Sequence, residues 1–287
     1  MVFSVKTYNN INQIGLKELG NHFQIDGDLA ENPDAYIIRS QNLHDTVFPD
    51  NLKAIARAGA GTNNIPVDEA TEKGIVVFNT PGANANAVKE AVLASILLSA
   101  RDYIAANAWV NTLSGDDVPK QIEAGKKQFA GSEITGKTLG VIGLGAIGAR
   151  IANYAYRLGM KVYGYDPYVS IEAAWNISHH VRRVSDLKEI FENCDYITVH
   201  VPLTPDTKGT FNADSFSLMQ KGTTIINFAR AELVENDALF DALETGVVKR
   251  YITDFGTEEL LNKPNVTVFP HVGGSTGEAE LNCAIMA

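Results

Sequence analysis

Short hydrophobic runs recur along the chain, and stretches with helical periodicity separate them. In the first third these runs are VFSVKTY, AYIIRS, LKAIARAG and IVVFNTPG, with helix-like segments such as PVDEATEKG between them. Brief apolar runs that alternate with helices are typical of buried parallel strands. We therefore predict a small parallel α/β domain at the start of the chain.

A long helical pattern follows, and it predicts a long helical arm from Asn84 to Val110. After a polar segment a second series of hydrophobic runs begins, with LGVIGLG, KVYGYD, YITVHV, TTIINFA, VKRYITDF and VTVFP. Six such runs alternating with helices predict a doubly wound parallel sheet. The last residues, STGEAELNCAIMA, predict a helix that could pack back on the first domain and make that domain discontinuous.

The most specific motif lies in the segment GVIGLGAIGARIANYAYRLGMKVYGYDP. Gly143, Gly145 and Gly148 follow a predicted strand and open a predicted helix with the spacing Gly-x-Gly-x-x-Gly. In a dinucleotide-binding fold these glycines permit the tight turn, the approach of the pyrophosphate and close helix packing. About 20 residues further on, the expected place for a carboxylate that binds the adenosine ribose, the next strand ends at Asp166. Because no arginine follows at positions 167 and 168 to hold a 2′-phosphate, the motif favours NAD over NADP.

Charge and composition exclude several classes of function. The chain has 287 residues, of which 45% are hydrophobic and 20% charged, and its net charge of −10 argues against a nucleic-acid or anionic-membrane partner. We find no signal-peptide pattern and no apolar run near the ~20 residues that span a bilayer, so we expect a soluble, cytoplasmic protein. Cys194 and Cys283 are far apart, and no cluster has metal-ligand spacing, so we expect inert cysteines and no metal.

Polar side chains stand where the later hydrophobic runs end. His200, Arg230, Asp254 and His271 each follow such a run, and Glu259 lies just beyond Asp254. The carboxyl ends of parallel strands meet at one edge of the sheet, where ligands bind. A nicotinamide cofactor carries a hydride, arginine can grip a carboxylate with two hydrogen bonds, and histidine titrates near neutrality. Taken singly, each residue could equally be a surface ion pair or a solvated charge.

Five segments together resemble the D-isomer-specific 2-hydroxyacid dehydrogenase family over nearly the whole chain. They are ARAGAGTNNIPVDEATEKGIVVFNTPG, GLGAIG, NFARAELVENDAL, YITDFGTEEL and FPHVGGST. The resemblance implies that Arg230, Glu259 and His271 form the catalytic set. On that basis His271 takes the proton of the C2 hydroxyl, Glu259 holds His271, and Arg230 binds the substrate carboxylate and polarises the developing carbonyl.

Two positions depart from the family pattern. Ala231 replaces the glycine that usually follows the catalytic arginine, and Leu260 replaces the proline that commonly follows the glutamate. These departures weaken the placement of Glu259, and Glu258 is the alternative.

The resemblance also implies a domain arrangement and a set of binding residues. A Rossmann NAD-binding domain, residues 86–268, is expected to be inserted in a smaller flavodoxin-like α/β substrate-binding domain, residues 1–85 and 269–287, with the substrate in the cleft. Backbone amides of Ala58, Gly59, Ala60 and Gly61 would bind the substrate carboxylate. The implied cofactor-contacting residues are Gly143, Gly145, Ala146, Ile147, Gly148, Asp166, His200, Val201, Pro202, Phe228, Ala229, Arg230, Asp254, His271, Gly273 and Gly274.

The choice of substrate depends on two arginines in the first domain. Arg39 and Arg57 end predicted strands and match arginines that hold phosphate in the branch of the family that oxidises D-3-phosphoglycerate, the first step of serine biosynthesis. One or both could instead pair with acidic neighbours such as Asp34 or Asp68. Two other functions stay open: a dehydrogenase of an unphosphorylated acid such as glycerate, lactate or glyoxylate, and an NAD-sensing binding protein.

The family resemblance finally predicts a homodimer. In this family the helical arm covers the partner's nucleotide domain, and an apolar face too extensive for one domain needs such cover. Lys126 and Lys127 fall where the family can deliver basic residues from the neighbouring subunit.

Overall fold

The chain divides into two compact units in a computed structural model that describes residues 2–26 and 31–287. The first unit consists of Met1–Ala87 and Gly274–Ala287, and the second of Val88–Gly273. The strands are β1 Phe3–Thr7, β2 Phe23–Ile25, β3 Ala35–Ile38, β4 Ala54–Arg57, β5 Val76–Asn79, β6 Thr138–Ile142, β7 Lys161–Tyr165, β8 Arg182–Arg183, β9 Tyr196–Val199, β10 Thr223–Asn227, β11 Val248–Thr253 and β12 Val266–Val268. The α-helices are α1 Gln13–Leu16, α2 Val67–Glu72, α3 Ala85–Ala100, α4 Tyr103–Val110, α5 Val118–Gly125, α6 Gly148–Arg157, α7 Ile171–Trp175, α8 Leu187–Asn193, α9 Ala213–Ser217, α10 Asn236–Glu244 and α11 Gly277–Met286.

The first unit is built on a five-stranded parallel sheet with the order β2-β1-β3-β4-β5. This is the flavodoxin-like order of strands. Successive residues of β3 enter different cores, because Ile37 packs with Val5 and Ala56 while Ile38 packs with Ile55. Burial on both faces explains why these strands read as continuous apolar runs. The short strand β2 was not predicted, since two of its three side chains are exposed.

Helix α11 packs on the sheet of the first unit beside α1. Cys283 and Ala284 of α11 are buried in the same core as Val5 and Ile37. A Cβ on Gly15 of α1 would stand 2.5 Å from the Cβ of Ala284, so this close helix contact requires glycine. The final helical pattern of the sequence therefore forms part of the first unit.

The second unit contains a seven-stranded parallel sheet with the order β12-β11-β10-β9-β6-β7-β8. Helices α3 and α6 cover one face through residues such as Ile96 and Ile151, and α8 and α10 cover the other through Ile190 and Leu239. The doubly wound α/β fold predicted from the six hydrophobic runs is confirmed. The seventh strand, β8, consists of two arginines at the sheet edge and carries no hydrophobic signal.

The predicted helical arm from Asn84 to Val110 consists of two helices. The arm is divided into α3 and α4 at Asp102, whose side chain caps α4 by accepting a hydrogen bond from the amide of Ala105 at 3.1 Å. The other carboxylate oxygen of Asp102 accepts from Nη2 of Arg250 at 2.5 Å. The break therefore depends on a β11 residue that local periodicity does not reveal.

Within the part of the chain that the structure describes, no helix has the length and apolar character needed to cross a bilayer.

Candidate active site

The candidate residues of the second unit share one edge of its sheet. All seven strands are parallel, so the residues that follow them lie at the same edge. Along that edge the sequence-predicted residues after β12, β11, β10, β9, β6 and β7 are, in spatial order, His271, Asp254, Arg230, His200, Gly143 and Asp166. The chain reverses direction across the sheet between β6 and β9, and such a switch point is where open α/β sheets bind ligands.

The three motif glycines have different structural roles. Gly143 has φ +90°, and a Cβ there would lie 2.7 Å from the carbonyl oxygen of His200. A Cβ on Gly148 would overlap the carbonyl oxygen of Gly143, so the start of α6 can approach the end of β6 only without a side chain. A Cβ on Gly145, in contrast, would meet no atom within 4 Å. The backbone at Gly145 is therefore open to a ligand.

Asp166 fixes the glycine loop to the end of β7. Its Oδ2 accepts a hydrogen bond from the amide of Leu144 at 2.8 Å, and its Oδ1 accepts from the amide of Tyr168 at 2.9 Å. A carboxylate oxygen can accept more than one hydrogen bond, so both oxygens keep acceptor capacity for ribose hydroxyls.

His200 is held as a neutral imidazole at the end of β9. Burial lowers its pKa to about 3. Its Nε2 lies 2.8 Å from Oγ1 of Thr198, and its Nδ1 is buried without a hydrogen-bond partner in the described chain. His200 thus lies at the switch point, next to Gly143. Its neutral ring is unsuited to acid/base work near neutral pH.

Arg230 stands in a turn that Asn227 organises. The Oδ1 of Asn227 accepts from the amides of Ala229 and Arg230 at 3.0 and 3.3 Å, while its Nδ2 donates to the carbonyl of Arg230 at 2.7 Å. Asn227 is fully buried, whereas the Arg230 side chain is exposed. Asn227 was not predicted from the sequence, although an asparagine that bonds the backbone two residues on is a common turn signal.

Asp254 is a buried carboxylate, 4% exposed, at the end of β11. Its Oδ2 accepts from the amide of Gly273 at 3.3 Å, and Oδ1 has no partner within the described residues. Burial raises the pKa of Asp254, and the charges of His271 and Arg230 oppose this shift. The structure thus brings both Arg230 and His271 within electrostatic range of Asp254.

Glu259 and His271 are not paired in this structure. The Oε2 of Glu259 accepts a hydrogen bond from Nδ2 of Asn236 at 3.0 Å, while the ring of His271 lies 4.9 Å from the ring of Phe255. Among residues 2–26 and 31–287 no hydrogen bond or ion pair joins Glu259 to His271. Asn236, the first residue of α10, is the partner of Glu259 where the histidine was predicted. The alternative acid, Glu258, is exposed.

Most of the remaining predicted cofactor residues follow strand ends of the second unit. Phe228 packs edge-on against Phe269 with ring centroids 6.3 Å apart, and a Cβ on Gly273 would approach Oδ2 of Asp254 to 3.0 Å. Gly274 belongs to the first unit, where a Cβ would stand 2.5 Å from Nδ2 of Asn84. The others follow the strand ends at β6, β9 and β10: Ala146, Ile147, Val201, Pro202 and Ala229.

The residues of the second unit fit a dinucleotide. The open backbone at Gly145 next to the start of α6 suits a pyrophosphate, and the anchored carboxylate of Asp166 suits a ribose. The unpartnered oxygen of Asp254 can accept a hydrogen bond from a carboxamide. A nicotinamide carries such a carboxamide, so its addition would satisfy a buried acceptor.

In the first unit, Arg39 and Arg57 follow or end two adjacent strands. Ile38 of β3 pairs with Arg57 of β4 in the parallel register. The guanidinium of Arg57 lies over Gly59, where a Cβ would come within 2.6 Å of Nη1. Arg39 donates through Nη1 to Oε1 of Glu280 at 2.6 Å, whereas Asp34, the partner considered in the sequence analysis, pairs with Lys53 at 2.5 Å.

The loop from Ala58 to Gly61 keeps two amides for a ligand rather than four. The amide of Ala58 donates to the carbonyl of Ile38, and that of Gly59 donates to the carbonyl of Arg57, both at 2.8 Å. The amides of Ala60 and Gly61 donate to no group in the described chain. The predicted anion site is therefore smaller than expected, because two of its four amides already donate to carbonyls of Ile38 and Arg57.

Several other predicted residues lie away from the sheet edge. Burial raises the pKa of the Cys194 thiol to about 12, and Cys283 is also buried and free. Lys126 and Lys127 lie on an exposed 3-10 helix, with Lys126 paired to Glu123 at 2.5 Å. Within the described residues no group of three or more His, Cys, Asp or Glu side chains could hold a metal ion.

Comparison with known families decides the relationship that this geometry indicates. The family model described as "D-isomer specific 2-hydroxyacid dehydrogenase, NAD binding domain" matches residues 93–273. This chain is a member of the D-isomer specific 2-hydroxyacid dehydrogenase family. The second unit of this 2-hydroxyacid dehydrogenase is accordingly the NAD-binding domain of the family.

Curated relatives of this 2-hydroxyacid dehydrogenase include several D-3-phosphoglycerate dehydrogenases. The protein of Methanocaldococcus jannaschii is 40% identical over 237 residues, covering 80% of this chain and 43% of the relative. The protein of Bacillus subtilis is 38% identical over 260 residues, covering 88% of this chain and 47% of the relative. The chain spans about half the length of the curated relatives that it matches.

Solved structures show the same fold. The NAD⁺-bound 3-phosphoglycerate dehydrogenase of Entamoeba histolytica has a TM-score of 0.75 and 25% identity, covering 99% of this chain and 92% of its own. The apo D-mandelate dehydrogenase of Rhodotorula graminis has a TM-score of 0.79 and 25% identity, covering 98% and 90%. The 2-hydroxyacid dehydrogenase fold is therefore shared with enzymes named for different substrates.

Proposed function

We propose that this 2-hydroxyacid dehydrogenase oxidises D-3-phosphoglycerate at C2 to 3-phosphohydroxypyruvate with NAD as the oxidant. The observation that carries the proposal is the pair Arg39 and Arg57 at the carboxyl ends of adjacent strands in the first unit. The similarity to D-3-phosphoglycerate dehydrogenases supports it.

The two arginines are suited to a phosphate because guanidinium groups present several fixed N–H donors to phosphate oxygens. Gly59 leaves room for the Arg57 guanidinium beside the loop, and the ion pair with Glu280 fixes one amino group of Arg39. An unphosphorylated 2-hydroxy acid has only one anionic group, for which the loop amides of Ala60 and Gly61 are available within the same unit. The second cationic site therefore favours a substrate with a second anionic group.

In the second unit, His271 is proposed as the acid/base. It takes the proton of the C2 hydroxyl during oxidation and returns it during reduction. Arg230 binds the substrate carboxylate and stabilises the developing carbonyl. When bound, NAD supplies the acceptor for the hydride of C2, so the two electrons and the proton are both accounted for.

Glu259 is proposed to orient His271 after exchanging its partner. Its present hydrogen bond with Asn236 is made by an exposed side chain, so little free energy opposes its rotation. Catalytic hydrogen bonds often tighten only in the substrate complex. Before substrate binds, Asn236 keeps the Glu259 carboxylate in its present position.

A homodimer is proposed as the assembly, with the arm helices as its interface. Leu97, Tyr103, Ile104 and Val110 are large apolar residues on α3 and α4, and all four are exposed. Exposed apolar surface of this kind marks protein contacts. Sedimentation of the purified chain tests this proposal, and a monomer at micromolar concentration would contradict it.

The two free, buried cysteines support a reducing compartment such as the cytoplasm.

The proposed function is tested by NADH oxidation with 3-phosphohydroxypyruvate beside hydroxypyruvate, pyruvate and glyoxylate. We expect turnover mainly with the phosphorylated acid. A preference for the unphosphorylated acids would retain the family mechanism and reject the phosphate site. Stable NADH binding without turnover would instead indicate an NAD-sensing binding protein.

A further inference from the structure

Glu280 of α11 holds one of the two arginines proposed to bind phosphate. Its Oε1 accepts a hydrogen bond from Nη1 of Arg39 at 2.6 Å, with the two side chains 41% and 36% exposed. Both residues belong to the first unit. The pair is accessible to solvent, so an anion can reach the guanidinium while the carboxylate is in place.

The position of Glu280 is fixed by the packing of its helix. Thr276 caps α11 by accepting a hydrogen bond from the amide of Ala279 at 3.1 Å, and Ala279 is buried. One turn beyond Glu280, Ala284 meets Gly15 in the close contact that anchors α11 to α1. The carboxylate therefore projects from a rigid helix rather than from a loop.

The contact with Glu280 occupies one amino group of Arg39 and leaves the other N–H donors of the guanidinium available to an anion. A guanidinium has five N–H donors, and its strongest anion complexes use two parallel hydrogen bonds. Glu280 binds through Nη1 alone, so its carboxylate does not occupy a bidentate face of the guanidinium. A long arginine side chain that is already held at one nitrogen loses less conformational freedom when it binds an anion.

We propose that Glu280 is a positioning residue for phosphate recognition, which it aids by fixing the guanidinium of Arg39. This inference rests on the proposed function, because it assumes that Arg39 contacts the substrate phosphate. It adds a substrate-specificity role for a glutamate on the last helix, outside the strand ends and loops that bear the other site residues. The required property of residue 280 is a fixed hydrogen-bond acceptor.

The test compares three variants in steady-state reduction at saturating NADH. Glu280→Ala removes the acceptor, Glu280→Gln keeps an acceptor without the charge, and Glu278→Ala is a matched control in the same first turn of α11. For Glu280→Ala we expect the KM for 3-phosphohydroxypyruvate to rise roughly threefold to fivefold, the scale of one lost hydrogen bond. The kcat and the KM for hydroxypyruvate should stay within about twofold, as expected for lost uniform binding. Glu280→Gln and Glu278→Ala should resemble the wild type.

Three results would overturn the proposal. If the KM for the phosphorylated acid is unchanged in Glu280→Ala, Glu280 does not position Arg39 for phosphate. If the KM is lower in both Glu280 variants, the carboxylate competes with phosphate for Arg39. An equal rise for both substrates indicates a general structural effect. Arg39→Ala separates the two levels: if the wild type prefers the phosphorylated acid and Arg39→Ala reduces that preference, only the Glu280 step has failed. If the wild type has no such preference, the proposed function fails and this inference with it.

Discussion

The carboxylate of Asp166 accepts a hydrogen bond from the backbone amide of Leu144 at 2.8 Å, and so joins the end of β7 to the glycine loop. Asp166→Ala removes both this link and the proposed ribose acceptor. We expect the KM for NAD to rise roughly tenfold to a hundredfold, because hydrogen bonds to a charged group contribute about 1.5–3 kcal/mol. Preference for NAD over NADP should fall, since the carboxylate no longer repels a 2′-phosphate. Steady-state kinetics with both cofactors measure the change.

Asp186→Ala is the matched control for this prediction. Asp186 also accepts a backbone hydrogen bond, from Lys188 at the start of α8, but follows the edge strand β8. It should lose helix-capping stability while keeping the wild-type cofactor preference. An Asp166→Ala enzyme with unchanged selectivity would show that the residue serves the loop alone.

The glycine loop allows binding and stability to be separated. Gly145→Ala introduces a methyl group into open space, so unfolding free energy should change by no more than about 0.5 kcal/mol. Its affinity for NADH should nevertheless fall on the order of tenfold, because the pyrophosphate loses close access to the backbone. Gly148→Ala places its methyl group against the carbonyl of Gly143 and should cost about 1–3 kcal/mol of stability. Thermal unfolding and NADH fluorescence titration distinguish the two, and equal destabilisation would contradict these roles.

Asn227→Ala should reduce both stability and activity. The substitution leaves the amides of Ala229 and Arg230 without their acceptor, which costs about 1–3 kcal/mol. Displacement of the Arg230 turn by an ångström should lower kcat/KM by about 10²-fold. Asn193→Ala is the control, since that exposed side chain makes one helix hydrogen bond, to the carbonyl of Glu189. Comparable kcat/KM values in the two variants would mean that Asn227 does not position Arg230.

Asp254→Asn should stabilise the protein at neutral pH. Burial raises the pKa of Asp254 in the folded state, so the stability cost of its charge begins as the pH rises through the unfolded pKa and is complete above the folded pKa. An unfolded aspartate titrates near 3.9, and the folded carboxyl takes up its proton at a higher pH. The gain in Tm for Asp254→Asn should therefore be largest at pH 7–8 and shrink as the pH falls toward about 4. An exposed control, Asp206→Asn, should show no such dependence, and a pH-independent gain in Asp254→Asn would contradict the account.

The sequence predicted the elements whose signals are local. The six hydrophobic runs of the second sheet could be predicted as strands because both sheet faces are buried. The motif also predicted the places of Gly143, Gly145, Gly148 and Asp166, because turn geometry depends on neighbouring residues. Strand β8 escaped prediction because a pair of edge arginines has no apolar signal.

The features that escaped prediction depend on partners distant in the chain. The arm is broken at Asp102, which is paired with Arg250, 148 residues away. Arg39 is held by Glu280, 241 residues away, rather than by the nearby acids that the sequence suggested. Glu259 is bound to Asn236, and no local pattern indicates which of its possible partners it selects. Side-chain partners of this kind can be identified only in the folded structure.

The central claim is that the first unit selects a phosphorylated 2-hydroxy acid, and Arg57→Ala tests it most directly. The measurement is the ratio of kcat/KM for 3-phosphohydroxypyruvate to that for hydroxypyruvate, in the wild type and in the variant. We predict that the ratio falls at least tenfold, as expected when a charge-assisted phosphate contact of about 1.5–3 kcal/mol is lost, while the rate with hydroxypyruvate changes little. A ratio unchanged by the substitution, or a wild type that prefers hydroxypyruvate, would contradict the account.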